Sequence, residues 1–131
     1  MPFTVENKDF SIIKFILLDP LSKDDLNKVL GLISRVFETK KPFSFYVHCK
    51  LKSTPIHVAP MTKALISWLG DNQENIKKYL QSTSIIISSD VYKTLLNGVF
   101  SIRPTIKPNL ITTDYSRGEN FVTDIMKNFF A

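Results

Sequence analysis

The stretch VHCKLKSTPIHVAP, residues 47–60, holds both histidines, the only cysteine, a serine, a threonine and two lysines. These residue types are the raw material of nucleophilic catalysis and of zinc ligation, so the question is whether their spacing lets them act together. His48 and Cys49 are adjacent, and neighbouring side chains on a strand point to opposite faces, which forbids a thiolate–imidazole pair between them. Cys49 shares the phase of Phe43, Phe45 and Val47, which marks it as a small buried hydrophobe. A pairing of His57 with Cys49 across the loop is supported by no spacing rule. One thiol and two imidazoles give three soft ligands where a structural zinc site takes four, often in closely spaced pairs. Gly31, Gly70, Gly98 and Gly118 are all isolated, so there is no glycine-rich phosphate loop, and no Gly-x-Ser-x-Gly elbow occurs. The expectation is therefore no catalytic residue, no metal and no cofactor: a protein that is not an enzyme.

The elements that position this stretch follow from hydrophobic periodicity. Phe3–Val5 and Ser11–Leu18 read as two strands joined by the polar turn ENKD. Asp19-Pro20 turns the chain away from helix, Ser22 can cap the next one, and Asp24 and Asp25 suit its first turn. Leu26, Val29, Leu30, Ile33, Val36 and Phe37 then form one apolar stripe on a helix. Pro42 ends that unit, and FSFYVHC is a strand with Phe43, Phe45, Val47 and Cys49 on one face and Ser44, Tyr46 and His48 on the other. A helix carrying Met61, Leu65, Trp68 and Leu69 follows, with Gly70 as its stop. DNQENIKKYL gives a short further helix with Ile76, Tyr79 and Leu80 inward. TSIIISS has the continuous apolar character of a parallel strand covered on both faces. Asp90 caps a helix with Val91, Leu95, Leu96 and Val99 inward. RPTIKPN breaks it, LITT is a last strand, and DYSRGEN leads into a final helix with Phe121, Val122, Ile125, Met126 and Phe129 aligned. The order ββαβα(α)βαβα predicts an α/β fold over residues 1–131 as a single domain. Its mixed, mostly parallel sheet has about five strands with four or five helices, and its first strand is antiparallel at an edge.

The chain has 131 residues, enough for one sizeable core, and 44% of them are hydrophobic against 22% charged, the balance of a soluble globular protein. Seventeen basic and 12 acidic residues leave a formal charge of +5. The lysines are scattered, with only Lys40-Lys41 and Lys77-Lys78 adjacent, which argues for a solvated surface over a nucleic-acid footprint. A single cysteine suits a reducing compartment, no secretory signal is visible at the N-terminus, and no apolar run approaches the roughly 20 residues that span a bilayer. A cytoplasmic protein without a transmembrane segment is expected.

Parallel sheets gather ligands and partners outside the carboxyl ends of their strands. Here that edge comprises residues 19–23, 50–60, 88–90 and 114–117. Lys50, Lys52 and Arg117 make it locally positive. Ser53, Thr54, Ser88 and Ser89 offer hydroxyls beside helix starts, and His57 and Thr62 belong to the same loop and the helix after it. An anion or a phosphorylated partner could dock there. The competing reading is that these hydroxyls cap helices and turns. Trp68 and Tyr79 are the candidates for a hydrophobic pocket, set against ordinary core packing. Phe129 and Phe130 cannot both face one core from a helix, so Phe130 is expected at the surface, as an association surface or a frayed end.

In FILLDPLSKDDLNKVLGLI, KKPFSFYVHCK and STSIIISSDVYKTLLNGVFSIRPTIKPNLITT the chain resembles the STAS domain, named for sulfate transporters and anti-sigma-factor antagonists. It looks similar to the shorter bacterial proteins classed as STAS-like or anti-sigma-antagonist-like. The last segment, a strand, a helix and a proline-rich step into a short strand, is the most telling. The resemblance implies a regulatory module that works by docking to another protein. In the family's antagonists a Ser or Thr at the start of the helix after the third strand, in a motif like Asp-Ser-Ser-Gly, is phosphorylated. This chain departs from that motif: no aspartate lies between Cys49 and Trp68, and within residues 58–62 only Thr62 has a hydroxyl. The family is also similar in topology to part of the CRAL-TRIO lipid-exchange fold, which implies a hydrophobic small molecule or lipid as the alternative ligand. The expected partner is thus a protein, a second copy of the chain included, with a lipid or other hydrophobic ligand as the alternative.

Overall fold

The computed structural model describes residues 3–18, 21–51, 58–104 and 106–131. Its elements are β1 (Phe3–Lys8), β2 (Ile12–Leu18), α1 (Lys23–Glu38), β3 (Phe43–Lys50), α2 (Val58–Asp71), α3 (Gln73–Tyr79), β4 (Leu80–Ile87), α4 (Asp90–Ile102), β5 (Asn109–Thr112) and α5 (Tyr115–Phe130). The five strands form one sheet in the order β1-β2-β3-β4-β5. β1 runs antiparallel to β2, and every other pairing is parallel. The fold is the mixed, mostly parallel α/β arrangement that the alternation of periodicities predicts.

Strand order equals chain order, so each crossover steps the same way across the sheet. Right-handed crossovers then place α1, α2 with α3, and α4 all on one face. The larger core lies there, with Phe15, Leu17, Phe43, Ile85 and Ile87 of the strands buried against Leu30, Ile33, Leu95 and Val99 of the helices. On α1, Leu26, Val29, Leu30, Ile33 and Phe37 are buried. Each such side chain contributes about 1.5–3 kcal/mol on burial, far above differences in helix propensity. A capping box starts this helix: the Asp25 N–H donates to Ser22 Oγ at 3.1 Å, and the Ser22 N–H donates to Asp25 Oδ2 at 3.0 Å.

The opposite face is covered by α5, which buries Val122 and Met126 against Ile12, Tyr46 and Ile86. The sheet is built of small residues beneath it: Ser44, Ser82 and Ser84 are fully buried, and Ser44 and Ser82 share a 2.7 Å hydroxyl–hydroxyl hydrogen bond. α5 therefore lies closer to its strands than the helices of the bulky-residue face do to theirs.

Several local expectations give way to tertiary detail. β1 extends to Lys8, and the hairpin turns at Asp9–Ser11 rather than at ENKD, with Phe10 at φ 63° and Ser11 at φ 58°. Pairing of Glu6 with Lys14 and Lys8 with Ile12 lengthens the strand at the expense of the turn. α2 continues through Gly70 to Asp71, so Gly70 is not its stop. Ser89, not Asp90, caps α4, its hydroxyl accepting from the Tyr92 N–H at 3.5 Å. Val91 is 43% exposed and Phe129 is 49% exposed, so neither faces the core; Phe130 is exposed as expected.

Candidate functional site

The helices on the bulky face leave a space between themselves and the sheet. α2 packs against α1 and α4. Its hold on α1 is specific: Trp68 Nε1 donates to Ser34 Oγ at 3.0 Å, and the Trp68 ring stacks on Phe37 with centroids 6.1 Å apart and planes 21° from parallel. Braced on its neighbours, α2 presents Met61, Leu65 and Leu69 to one side of a cavity of about 200 Å³ whose other side is Val47, Cys49, Ile85 and Ile87. Leu65, Trp68 and Leu69 are only half-buried.

The space of about 200 Å³ is partly open to solvent, and its wall is largely apolar. Water in such a space does not supply the dispersion contacts of a packed core. A molecule that enters does.

The polar exceptions in this wall are few. Thr83 and Asn109 face each other across the β4–β5 pairing at the amino ends of the strands. Asn109 Oδ1 is buried and has no hydrogen-bond partner among the described residues. Gln73, Arg103 and Lys107 complete the same end. Cys49 sits in the wall with its thiol pushed up to about 12 by burial. Near neutral pH it is a neutral thiol and behaves as a hydrophobe, not a nucleophile. His48 points to the opposite face, where its ring lies 4.9 Å from that of Tyr115.

Of the pocket candidates read from the sequence, Trp68 lines the cavity, whereas Tyr79 packs against the surrounding core without joining the wall. Lys50 and Ser88 are exposed at the carboxyl ends of β3 and β4, and Arg117 is exposed in the first turn of α5. The Ser89 hydroxyl is engaged as the α4 cap. Thr62 lies in the first turns of α2. Lys52, Ser53, Thr54 and His57 lie outside the described residues.

One polar cluster escapes the sequence altogether. On the face under α5, Lys14 Nζ donates to the Tyr115 hydroxyl, a partner 101 residues away, and stands 4.8 Å and 5.6 Å from the ring centres of Tyr115 and Tyr46. The Tyr46 hydroxyl is buried, and burial first, then its neighbour Tyr115, holds its phenol well above the ordinary 10. A phenol so held stays protonated and gives no general base. Burial first, then Lys50 and Lys14, holds the His48 imidazole below its ordinary 6.5. Tyr46 and His48 share the polar phase of β3, but Lys14 shares its phase on β2 with Ile12 and Ile16, so periodicity does not single it out.

No protein-family model, no curated protein and no solved structure matches this chain. Among the described residues, no group of three or more His, Cys, Asp or Glu side chains gathers as metal ligands, and no helix is long and apolar enough to cross a membrane.

Proposed function

We propose that this chain is a non-enzymatic binding module that takes a small hydrophobic molecule between its sheet and α2. The observation that carries the reading is the cavity of about 200 Å³ walled by aliphatic and aromatic side chains. A cavity of about 150 Å³ lined in this way accepts benzene, so this one suits a substituted ring or a short alkyl chain in preference to a long-chain lipid held in a CRAL-TRIO-like manner. The STAS-like resemblance remains part of the proposal and is supported by the order of elements, but the antagonist's phosphoswitch is not. The buried neutral Cys49 and protonated Tyr46 support a binding role over a catalytic one.

Methyl-resolved NMR during titration with octanol tests this. Saturable shifts at Met61, Leu65 and Ile85 are expected. Shifts confined to the exposed Val91 and Ile102, or none, would falsify the reading.

A second reading, a docking module for protein partners, is favoured by one surface. Phe10, Phe129 and Phe130 are exposed aromatics around the end of α5, with the Phe129 and Phe130 rings 5.3 Å apart and Lys127 Nζ 5.7 Å from the Phe10 ring. Exposed apolar clusters of this kind mark interaction sites. Sedimentation of wild type against Phe129→Ser/Phe130→Ser tests self-association through it; identical monomeric behaviour of both removes the homodimer version.

A further inference from the structure

Resting on the cavity reading above, we infer that the ligand is an anionic amphiphile: a short alkyl or aryl chain ending in a carboxylate, with the chain in the cavity and the carboxylate at Arg103 and Lys107. The charge of the wall is one-sided. Among its residues only Arg103 and Lys107 are ionic, and both are positive. Both come from the α4–β5 connection, at the amino ends of β4 and β5, so the cations stand at one end of an otherwise apolar chamber. No described carboxylate forms an ion pair with either of them.

Two further features belong to this end. Asn109 Oδ1, buried and unpartnered, lines the same region. That oxygen needs a donor, which an ionised carboxylate lacks, so the carboxylate's contacts fall to Arg103 and Lys107 and not to this atom. Gly70, on the last turn of α2, is the second. A Cβ there would stand 2.7 Å from Arg103 Nη2 and 3.1 Å from its Cζ. The absence of a side chain at 70 thus lets the guanidinium lie across the end of α2 at the mouth of the chamber, where Arg103 is still exposed to solvent. A planar guanidinium takes a carboxylate through two parallel N–H donors, a geometry that neither a neutral head nor an ammonium matches. The competing role for Arg103 is to complement the carbonyl ends of α2 and α4, where a cation is favoured. That role predicts a stability loss on substitution and no ligand selectivity.

Octanoate, octanol and octylammonium share one chain and differ in head charge, so calorimetric titration of the full chain with each separates the terms. The expected order is octanoate tightest, about tenfold over octanol at low salt, with octylammonium weakest. The preference narrows as salt screens the rim. In Arg103→Gln/Lys107→Gln the three affinities converge while octanol binds as before, which also shows that the variant is folded. Equal affinities in the wild type overturn the inference and leave the cavity reading intact. So does a preference that survives the double substitution, since other cations would then be responsible. If none of the three binds, both fail together.

Discussion

Gly118 of α5 lies directly over Ser84 and Ile86 of β4: a Cβ at 118 would come within 2.9 Å of Ser84 Oγ and 2.7 Å of Ile86 Cγ1. The helix backbone is seated on the sheet with no room for a methyl group. Alanine normally improves a helix interior by about 1 kcal/mol over glycine, but forcing atoms into a packed contact costs about 1–3 kcal/mol. Gly118→Ala should therefore lower the melting temperature. Gly31 and Gly98 sit in helices with open space around them, so alanine at either should raise it. Thermal denaturation of the three single variants checks the opposed signs.

Lys40, the second residue after α1, adopts φ 56°, and its N–H donates to the Phe37 carbonyl at 3.0 Å. This is the left-handed closure of a helix end that glycine favours. A side chain in that conformation costs about 1–2 kcal/mol, part of which glycine returns as unfolded-state entropy. Lys40→Gly should stabilise the fold by up to about 1 kcal/mol, read as an increased urea midpoint at unchanged slope.

The sequence carries the fold because each element has an unmixed period. The stripe from Leu26 to Phe37 leaves no strand alternative, and the alternation from Phe43 to Cys49 sets the two faces of β3 before any contact is known. The errors fall where a local preference competes with a tertiary partner. Gly70 looks like a helix stop, but Arg103, distant in sequence, occupies the space above it. Asp90 and Ser89 are both good caps, and nothing local decides between them. The cavity is the least legible feature. Leu65 and Ile85 have the pattern of ordinary core residues, and the space between them depends on how α2 seats on α1 and α4, which no local pattern records. The Lys14–Tyr115 contact is hidden in the same way, because only the pairing of β2 with β3 and the seating of α5 bring its partners together.

His48 gives a pH dependence of definite sign. Its pKa is lowered by burial and by Lys50 and Lys14, so the unfolded chain takes up the proton first as pH falls. Between the ordinary value of 6.5 and the lower folded value, the unfolded state binds more protons and stability drops with pH. The contribution is fully present above 6.5 and lost as pH falls through the folded value. His48→Gln should flatten this part of a stability–pH profile. An unchanged slope in the variant would assign the dependence to other groups.

Cys49 should be silent toward thiol reagents in the native state. Its thiol is buried and its pKa is about 12, so the thiolate that reacts with an aromatic disulfide is scarce at pH 8. Native protein should react orders of magnitude more slowly than protein in denaturant. The same shift makes stability fall as pH rises past the ordinary value of 9, because the unfolded thiol ionises first. Rapid native labelling would show that the wall of the cavity opens to solvent.

Leu65 tests whether the void between α2 and the sheet is real space. Its side chain borders the cavity opposite Ile85 and is only half-buried. In a solidly packed core, Leu65→Phe adds volume with nowhere to go and costs about 1–3 kcal/mol. Where a cavity of about 200 Å³ lies beside it, the ring enters unfilled space and regains dispersion contacts instead. Leu65→Phe should thus hold or raise the melting temperature and weaken octanol binding severalfold. Leu65→Ala should cost about 2 kcal/mol, at the low end for a leucine truncation because the site is partly open. The opposed effects on stability and ligand affinity distinguish a cavity from a merely tolerant surface, since a tolerant surface would leave octanol binding untouched in both variants.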